Sequence, residues 1–246
     1  MTLPEIVSPD EWRAARVTLL EKEKAATRAR DELNAERRRL PMVRVEKEYA
    51  FDGPDGRVTL LELFGEHPQL MVGHFMFDPD WTDGCPSCTA GADEVSPGLL
   101  EHLATRNTAF TYVSRARLET IADYKARRGW TFPWVSSFGS DFNYDFHVTI
   151  DDSVTPGEYN YRSAAEHTKR GFDLVTDQPW EMPGMSVFLR SGDEVFHTYS
   201  SFARGAEMTG GSYYWLDLTP LGRQEDWEEP KGRSDDVRGN SPDFAR

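Results

Sequence analysis

The sequence predicts an α/β domain built on a central mixed sheet, and three observations carry that expectation. Two continuous apolar runs, QLMVGHFMF at 69–77 and AFTYVSRA at 109–116, suit buried strands. Each leads into a helical pattern: residues 89–106, with a break near Pro97, and RLETIADYKARRG at 117–129, which stops at Gly129. The stretch PGMSVFLRSGDEVFHTYSSF at 183–202 is a β-hairpin turning through Ser191, Gly192 and Asp193. Strands alternating with helices and then closing on a hairpin indicate one α/β layer structure.

The elements around that centre follow in chain order. Ser8, Pro9 and Glu11 make a capping box with proline at the first helical position, so a helix opens there. It runs to about Arg39 and stops before Pro41. Trp12, Ala15, Leu19, Ala26, Ala29 and Leu33 give it one narrow apolar stripe, expected to pack on its own domain, while leaving room for a homodimer. The segment VEKEYAFDGPDGRVTLLELFGEHPQ reads as a strand, a turn at Gly53-Pro54-Asp55-Gly56, and a second strand or short helix. WTFPWVSSFGSDFNYDFHV is an aromatic-rich insertion, mostly loop with a short strand. WLDLTPLGR closes the fold, and the charged tail beyond it is poor in aliphatic residues. The expected division is a helical extension at 1–40, a main domain at 41–223 and a mobile charged tail at 224–246.

Charge narrows the function classes. Lys and Arg number 28 against 42 Asp and Glu, a net charge of −14. Nucleic-acid binding needs a positive footprint, so no nucleic-acid partner is expected. The start lacks a basic region followed by an apolar one, and LMVGHFMF is too short to cross a bilayer. The expectation is a cytoplasmic protein with no membrane partner.

The two cysteines of the chain, Cys85 and Cys88, are separated by Pro86 and Ser87. In a reducing compartment such a pair is catalytic or metal-binding more often than a staple. Here it follows a buried strand and precedes a helix. A helix N-terminus presents unpaired N–H groups and partial positive charge, which stabilise a thiolate. Cys85 is then the attacking sulfur, and Cys88 resolves the mixed disulfide formed on it. No organic cofactor is required, because the sulfurs carry the electrons. The partner is a thiol or disulfide, protein or small molecule.

The arrangement resembles the thioredoxin-like superfamily in the strand before Cys85-Pro86-Ser87-Cys88, the helix after it, the strand–helix unit at 109–129 and the MPGMSVFLRSGDEVF hairpin. The resemblance implies that Pro183 matches the cis-proline position. The Met182–Pro183 bond would then be cis, and the backbone before the proline would lie across from the cysteines and pair with a bound substrate chain. Met182, Trp81 and Pro86 are accordingly candidate substrate contacts. GCPSCTAGAD, RGWTFPWVSSFGSDFNYDF, FHTYSSFARG and LDLTPLGR are similar, more narrowly, to a bacterial family of unknown function described as predicted dithiol–disulfide oxidoreductases. Thioredoxin has Trp before its first cysteine and Gly-Pro between the two; here Gly84 and Pro86-Ser87 stand there.

Other chemistries fit the same residues less well. Structural zinc wants four ligands, and there is no second cysteine pair or close histidine pair, so no metal is expected, although Cys85, Cys88 and one histidine leave a catalytic site open. A thiol peroxidase would use Thr82, three residues ahead of Cys85, with Cys88 resolving a sulfenic acid. A binding module would use the aromatic insertion as a pocket lining, against the plainer reading that these rings wrap the core. His74 reads as a core histidine, and Asp80 and Asp83 as residues shaping the loop.

Overall fold

A computed structural model describes residues 4–209, 211, 216–219, 223–232 and 237. The chain divides into two compact units, one formed by Met1–Pro41 with Ser212–Asn240, the other containing Met42–Gly211.

In the first unit, α1 spans Pro9–Arg37. Ser8 caps it as its spacing predicts: the Ser8 hydroxyl accepts from the Glu11 amide, and the Glu11 carboxylate accepts from the Ser8 amide at 2.9 Å. The expected packing of its stripe is not met. No residue of α1 is buried, and Trp12 is 62% exposed. Alanines separate the few large apolar residues, so the stripe is too narrow to drive burial. Also in this unit, Arg223 is buried and holds Asp217 in a two-pronged ion pair at 2.7 and 2.8 Å. The segment expected to close the fold, 215–223, lies partly outside the described residues, as does much of the tail.

The second unit is built on an eight-stranded sheet in the order β1-β12-β11-β4-β5-β6-β2-β3. The strands are β1 (Val43–Arg44), β2 (Ala50–Gly53), β3 (Gly56–Thr59), β4 (Gln69–His74), β5 (Thr108–Ser114), β6 (Trp134–Ser136), β11 (Gly184–Ser191) and β12 (Glu194–Phe202). Strands β4, β5 and β6 are parallel, and β11 and β12 form an antiparallel hairpin beside β4. The helices α2 (Pro86–Asp93), α3 (Pro97–Ala104) and α4 (Leu118–Arg128) connect the parallel strands. Gly129 ends α4 in the left-handed region at φ 70°, as a C-terminal glycine does. This is a mixed α/β sheet, with β4 central and leading into the cysteines.

Side-chain alternation along β4 sorts the core into two layers. Leu70 and Val72 face a cluster containing Phe51, Phe64, Val113, Phe142, Phe146 and Phe188. On the other side Phe75, Phe77, Tyr124, Phe132 and Trp134 pack together, with Cys88 against them. The aromatic insertion thus mainly wraps the core: Phe132, Trp134, Phe142 and Phe146 are buried, whereas Phe138 is exposed with the Arg117 guanidinium 3.9 Å above its ring. The insertion carries α5 (Phe142–Asp145) and two small ladders. In these β7 (Thr149–Ile150) pairs with β10 (Trp180–Glu181), and β8 (Glu158–Tyr159) with β9 (Arg162–Ser163), which leads into α6 (Ala164–Thr168). A third buried cluster joins Val148, Ile150, Tyr159, Leu174, Met182 and Phe202.

Candidate functional site

Cys85 is the N-cap of α2, and Pro86 takes the first helical position, where its missing N–H costs nothing. The Cys85 amide donates to the carbonyl of Met76 at 3.1 Å, and the Cys85 carbonyl accepts from the amide and hydroxyl of Thr89, both at 2.9 Å. Thr89 is buried, and its hydroxyl also meets the Tyr124 phenol at 2.7 Å, which ties α2 to α4. The cysteine is therefore clamped between the end of the central strand and the first turn of the helix.

Both cysteines are free thiols and partly exposed. The Cys85 thiol is pulled down to about 6. The main cause is the Cys88 thiol donating to it; burial opposes this, and the amides of Cys88 and Ser87 and the Ser87 hydroxyl add further donors. The Cys88 thiol is pushed well up, first because it donates to Cys85, then by burial and by the charge on Cys85; the Met76 amide works in the other direction. The two sulfurs thus have opposed characters, one an accessible thiolate and the other a proton-bearing neighbour.

The remaining residues singled out in the sequence fall as follows. Trp81 and Pro86 are exposed, in the loop before α2 and at its first turn. Asp80 and Asp83 are exposed and shape the loop: the Asp80 amide donates to Asp78, and Asp83 pairs with Arg127 at 2.7 Å. Thr82 donates its hydroxyl to Asp83. Among the described residues no three His, Cys, Asp or Glu side chains are grouped to hold a metal, and no helix is long and apolar enough to cross a membrane.

Pro183 immediately precedes β11, whose first residue, Gly184, pairs with His74 at the end of β4, the strand that leads into the cysteine loop. The implied cis bond is corrected: Met182–Pro183 is trans, and among the described residues the cis bonds are Gln178–Pro179 and Glu229–Pro230. The segment is held extended by its ladder with β7 and runs straight into β11. The Met182 side chain is buried in the third cluster.

Several site residues had no signal in the sequence. Tyr159, in the insertion, is buried, donates its hydroxyl to the Pro183 carbonyl at 2.9 Å, and is close enough to Cys88 to feel its charge. Burial is the larger cause raising its phenol to about 12, with the Ala203 amide opposing. Arg115 joins Asp78 at 3.2 Å to Glu181 at 2.7 Å, and so ties the cysteine loop to the segment before Pro183. Its guanidinium also donates to the Tyr144 hydroxyl. Burial drives the Glu181 carboxyl up to about 7 against the pull of Arg115 and Thr149. Each of these residues is unremarkable in its own stretch of sequence; only the chain crossing brings Tyr159 towards Cys88 and joins Asp78 to Glu181 through Arg115.

His74 is buried as expected of a core histidine. Its Nε2 meets the Ser186 hydroxyl at 2.8 Å, Ser186 meets Ser200 at 2.8 Å, and Ser200 meets His197 Nε2 at 2.7 Å. His197 opens on a surface groove of about 610 Å³ lined also by Arg44, Lys47, Tyr49, Asp145 and Phe146. Phe146 belongs to the layer across the sheet from Cys88, so this groove is separate from the cysteine site.

Residues 1–239 match the model of a family described as "Bacterial protein of unknown function (DUF899)". No curated protein matches the chain. Among solved structures, the bacterioferritin comigratory protein of Xanthomonas campestris, described for alkyl peroxide reduction, superposes with a TM-score of 0.42 at 14% identity over 65% of this chain and 83% of that one. PrxQ of Xylella fastidiosa gives a TM-score of 0.42 at 15% identity, covering 65% and 84%. A candidate protein disulfide isomerase of Bacteroides thetaiotaomicron gives 0.37 at 16% identity, covering 66% and 82%.

Proposed function

We propose that this chain, which belongs to the DUF899 family of bacterial proteins, is a thiol–disulfide oxidoreductase in which Cys85 attacks and Cys88 resolves. The observation that carries the reading is the placement of Cys85 at the N-cap of α2, where the Cys88 thiol first, and then the backbone at Cys88 and Ser87, pulls its thiol down. Those donors favour the thiolate, the attacking species in exchange. Cys88 sits one helical turn along, on the same face of α2, and the two thiols shift each other in opposite directions. No organic cofactor enters this chemistry.

A peroxidase reading has less support. The hydroxyl of Thr82, which would serve it, donates to Asp83. The reading as a binding module would place the ligand in the groove beside His197, away from the cysteines.

A thiol-trapping redox titration of the metal-free protein, followed by intact mass, tests the proposal. The expected result is one reversible two-electron step, within the range of roughly −120 to −270 mV spanned by exchange enzymes. Cys85→Ser should abolish exchange and Cys88→Ser should accumulate mixed disulfides. A pair that never closes, or equal trapping by both variants, would overturn the reading or its assignment of roles.

A further inference from the structure

We propose that the cysteine pair acts on small disulfides and thiols rather than on extended polypeptide segments. This rests on the exchange reading above and adds the substrate class. An extended chain docks beside a sheet by adding a strand, which needs unpaired backbone N–H and C=O groups along an open edge. The segment that enters β11 opposite the end of β4, from which the cysteine loop departs, is Glu181–Pro183, and its edge is already occupied from within.

Three observations make that case. The Met182 amide donates to the Val148 carbonyl at 2.8 Å, continuing the ladder in which Trp180 pairs with Ile150 and Glu181 with Thr149. Pro183 has no N–H to offer, and its carbonyl accepts from Tyr159 at 2.9 Å. The covering strand is itself anchored. The Val148 amide donates to Asn143 at 2.9 Å, Thr149 donates to the buried Glu181 carboxylate at 3.1 Å, and Tyr159 takes the Ala203 amide at 2.9 Å. Val148, Ile150, Tyr159, Met182 and Phe202 pack into one buried cluster beneath it. Peeling the strand away to admit a substrate chain would expose that cluster and leave buried polar groups unpaired.

What stays open is the loop side, where Cys85 is partly exposed between Trp81, which is 40% exposed, and Pro86. A small disulfide needs only this opening. The Cys85 thiolate attacks one sulfur of R–S–S–R; the Cys85–S bond forms, the S–S bond of the substrate breaks, and RS⁻ leaves and takes a proton from water. Cys88, after losing its proton to solvent, attacks the Cys85 sulfur, closes the Cys85–Cys88 disulfide and expels the second RS⁻. The protein loses two electrons and the substrate gains them. A pool of small thiols restores the dithiol by the same steps in reverse.

The test compares bis(2-hydroxyethyl) disulfide with an unstructured peptide of about a dozen residues whose central cysteine carries the same 2-hydroxyethylthio group, so that the reacting bond is matched. The expected result is Cys85-dependent reduction of both, with the peptide no faster and no saturation attributable to its chain. Hydrogen exchange supplies a measurement independent of turnover: the Met182 amide should be protected in the free protein and unchanged by added peptide. A peptide reacting ten-fold or more faster, or an unprotected Met182 amide, overturns the proposal while leaving the exchange chemistry standing. Failure of both substrates, with a pair that does not close reversibly in the redox titration, overturns the exchange reading and this proposal with it.

Discussion

The amide of Cys85 donates to the carbonyl of Met76 at 3.1 Å, two residues past the end of the central strand. That bond hangs Cys85 from the end of β4, an interior strand of the sheet. The Met76 amide in turn faces the Cys88 sulfur, so one peptide segment touches both members of the pair. The position of the sulfurs is therefore set by backbone that the core holds rigid.

The first prediction concerns the thiol itself. Alkylation of Cys85 should follow a titration with a midpoint near pH 6, since the thiol is held at about 6 by the donors around it. Below that pH the thiolate is lost and reactivity falls. Cys88→Ala removes the largest donor and Ser87→Ala a smaller one, so both should move the midpoint up, the former further. Rates with iodoacetamide between pH 4 and 9 check this, and an unmoved midpoint in Cys88→Ala would count against the assigned cause.

Gly84, directly before Cys85, has no room for a side chain. A Cβ here would lie 2.4 and 2.8 Å from the Phe75 ring and 3.2 Å from Tyr124. Phe75 is buried and cannot swing aside. Gly84→Ala should cost about 1–3 kcal/mol by overpacking, read as a lowered midpoint in urea.

Arg115 is mostly covered, and Glu181 almost wholly so. Arg115→Leu should cost about 3–5 kcal/mol, because it strands the Glu181 carboxyl and leaves Asp78 without its cation. Replacing Glu181 by Leu in the same background should recover part of that loss. A single variant as stable as the parent would show that the ion pair is not needed to close the site.

Acid stability should separate two buried groups. Burial, aided by the nearby His197, depresses His74 from 6.5 to about 3, so the folded form stays neutral while the unfolded chain takes up a proton. Stability contributed by the neutral ring is full above pH 6.5 and is lost as pH falls towards 3, by up to about 1.4 kcal/mol per unit. Glu181 is raised from 4.5 to about 7, so its contribution is full below pH 4.5 and is lost as pH rises through 7. Between 4.5 and 6.5 the two slopes oppose. Denaturation at pH 4.5, 5.5, 6.5 and 7.5 should show His74→Gln more acid-tolerant than the parent, and Glu181→Gln less sensitive to rising pH.

Much of this protein was legible along the chain because its signals are local. The capping box at Ser8 and Glu11, the apolar run that becomes β4, the C-terminal Gly129 and the hairpin turn at Gly192 each depend on neighbours a few residues away. The cysteine spacing, with a strand before it and a helix after it, likewise needed no long-range information to point to a thiolate at a helix start. Tertiary structure decided the rest. The α1 stripe looked ready to pack, but burial depends on what another surface offers, and no residue of that helix is buried. Pro183 was placed beside the cysteines by the resemblance to thioredoxin, yet whether its segment is open to a substrate chain depends on Val148 and Tyr159, 24 to 34 residues away along the chain. Hydrogen bonds across such separations leave no period in a sequence, because each partner looks locally like an ordinary residue of a strand or loop; only the folded backbone shows that the Met182 amide is taken by Val148 and the Pro183 carbonyl by Tyr159.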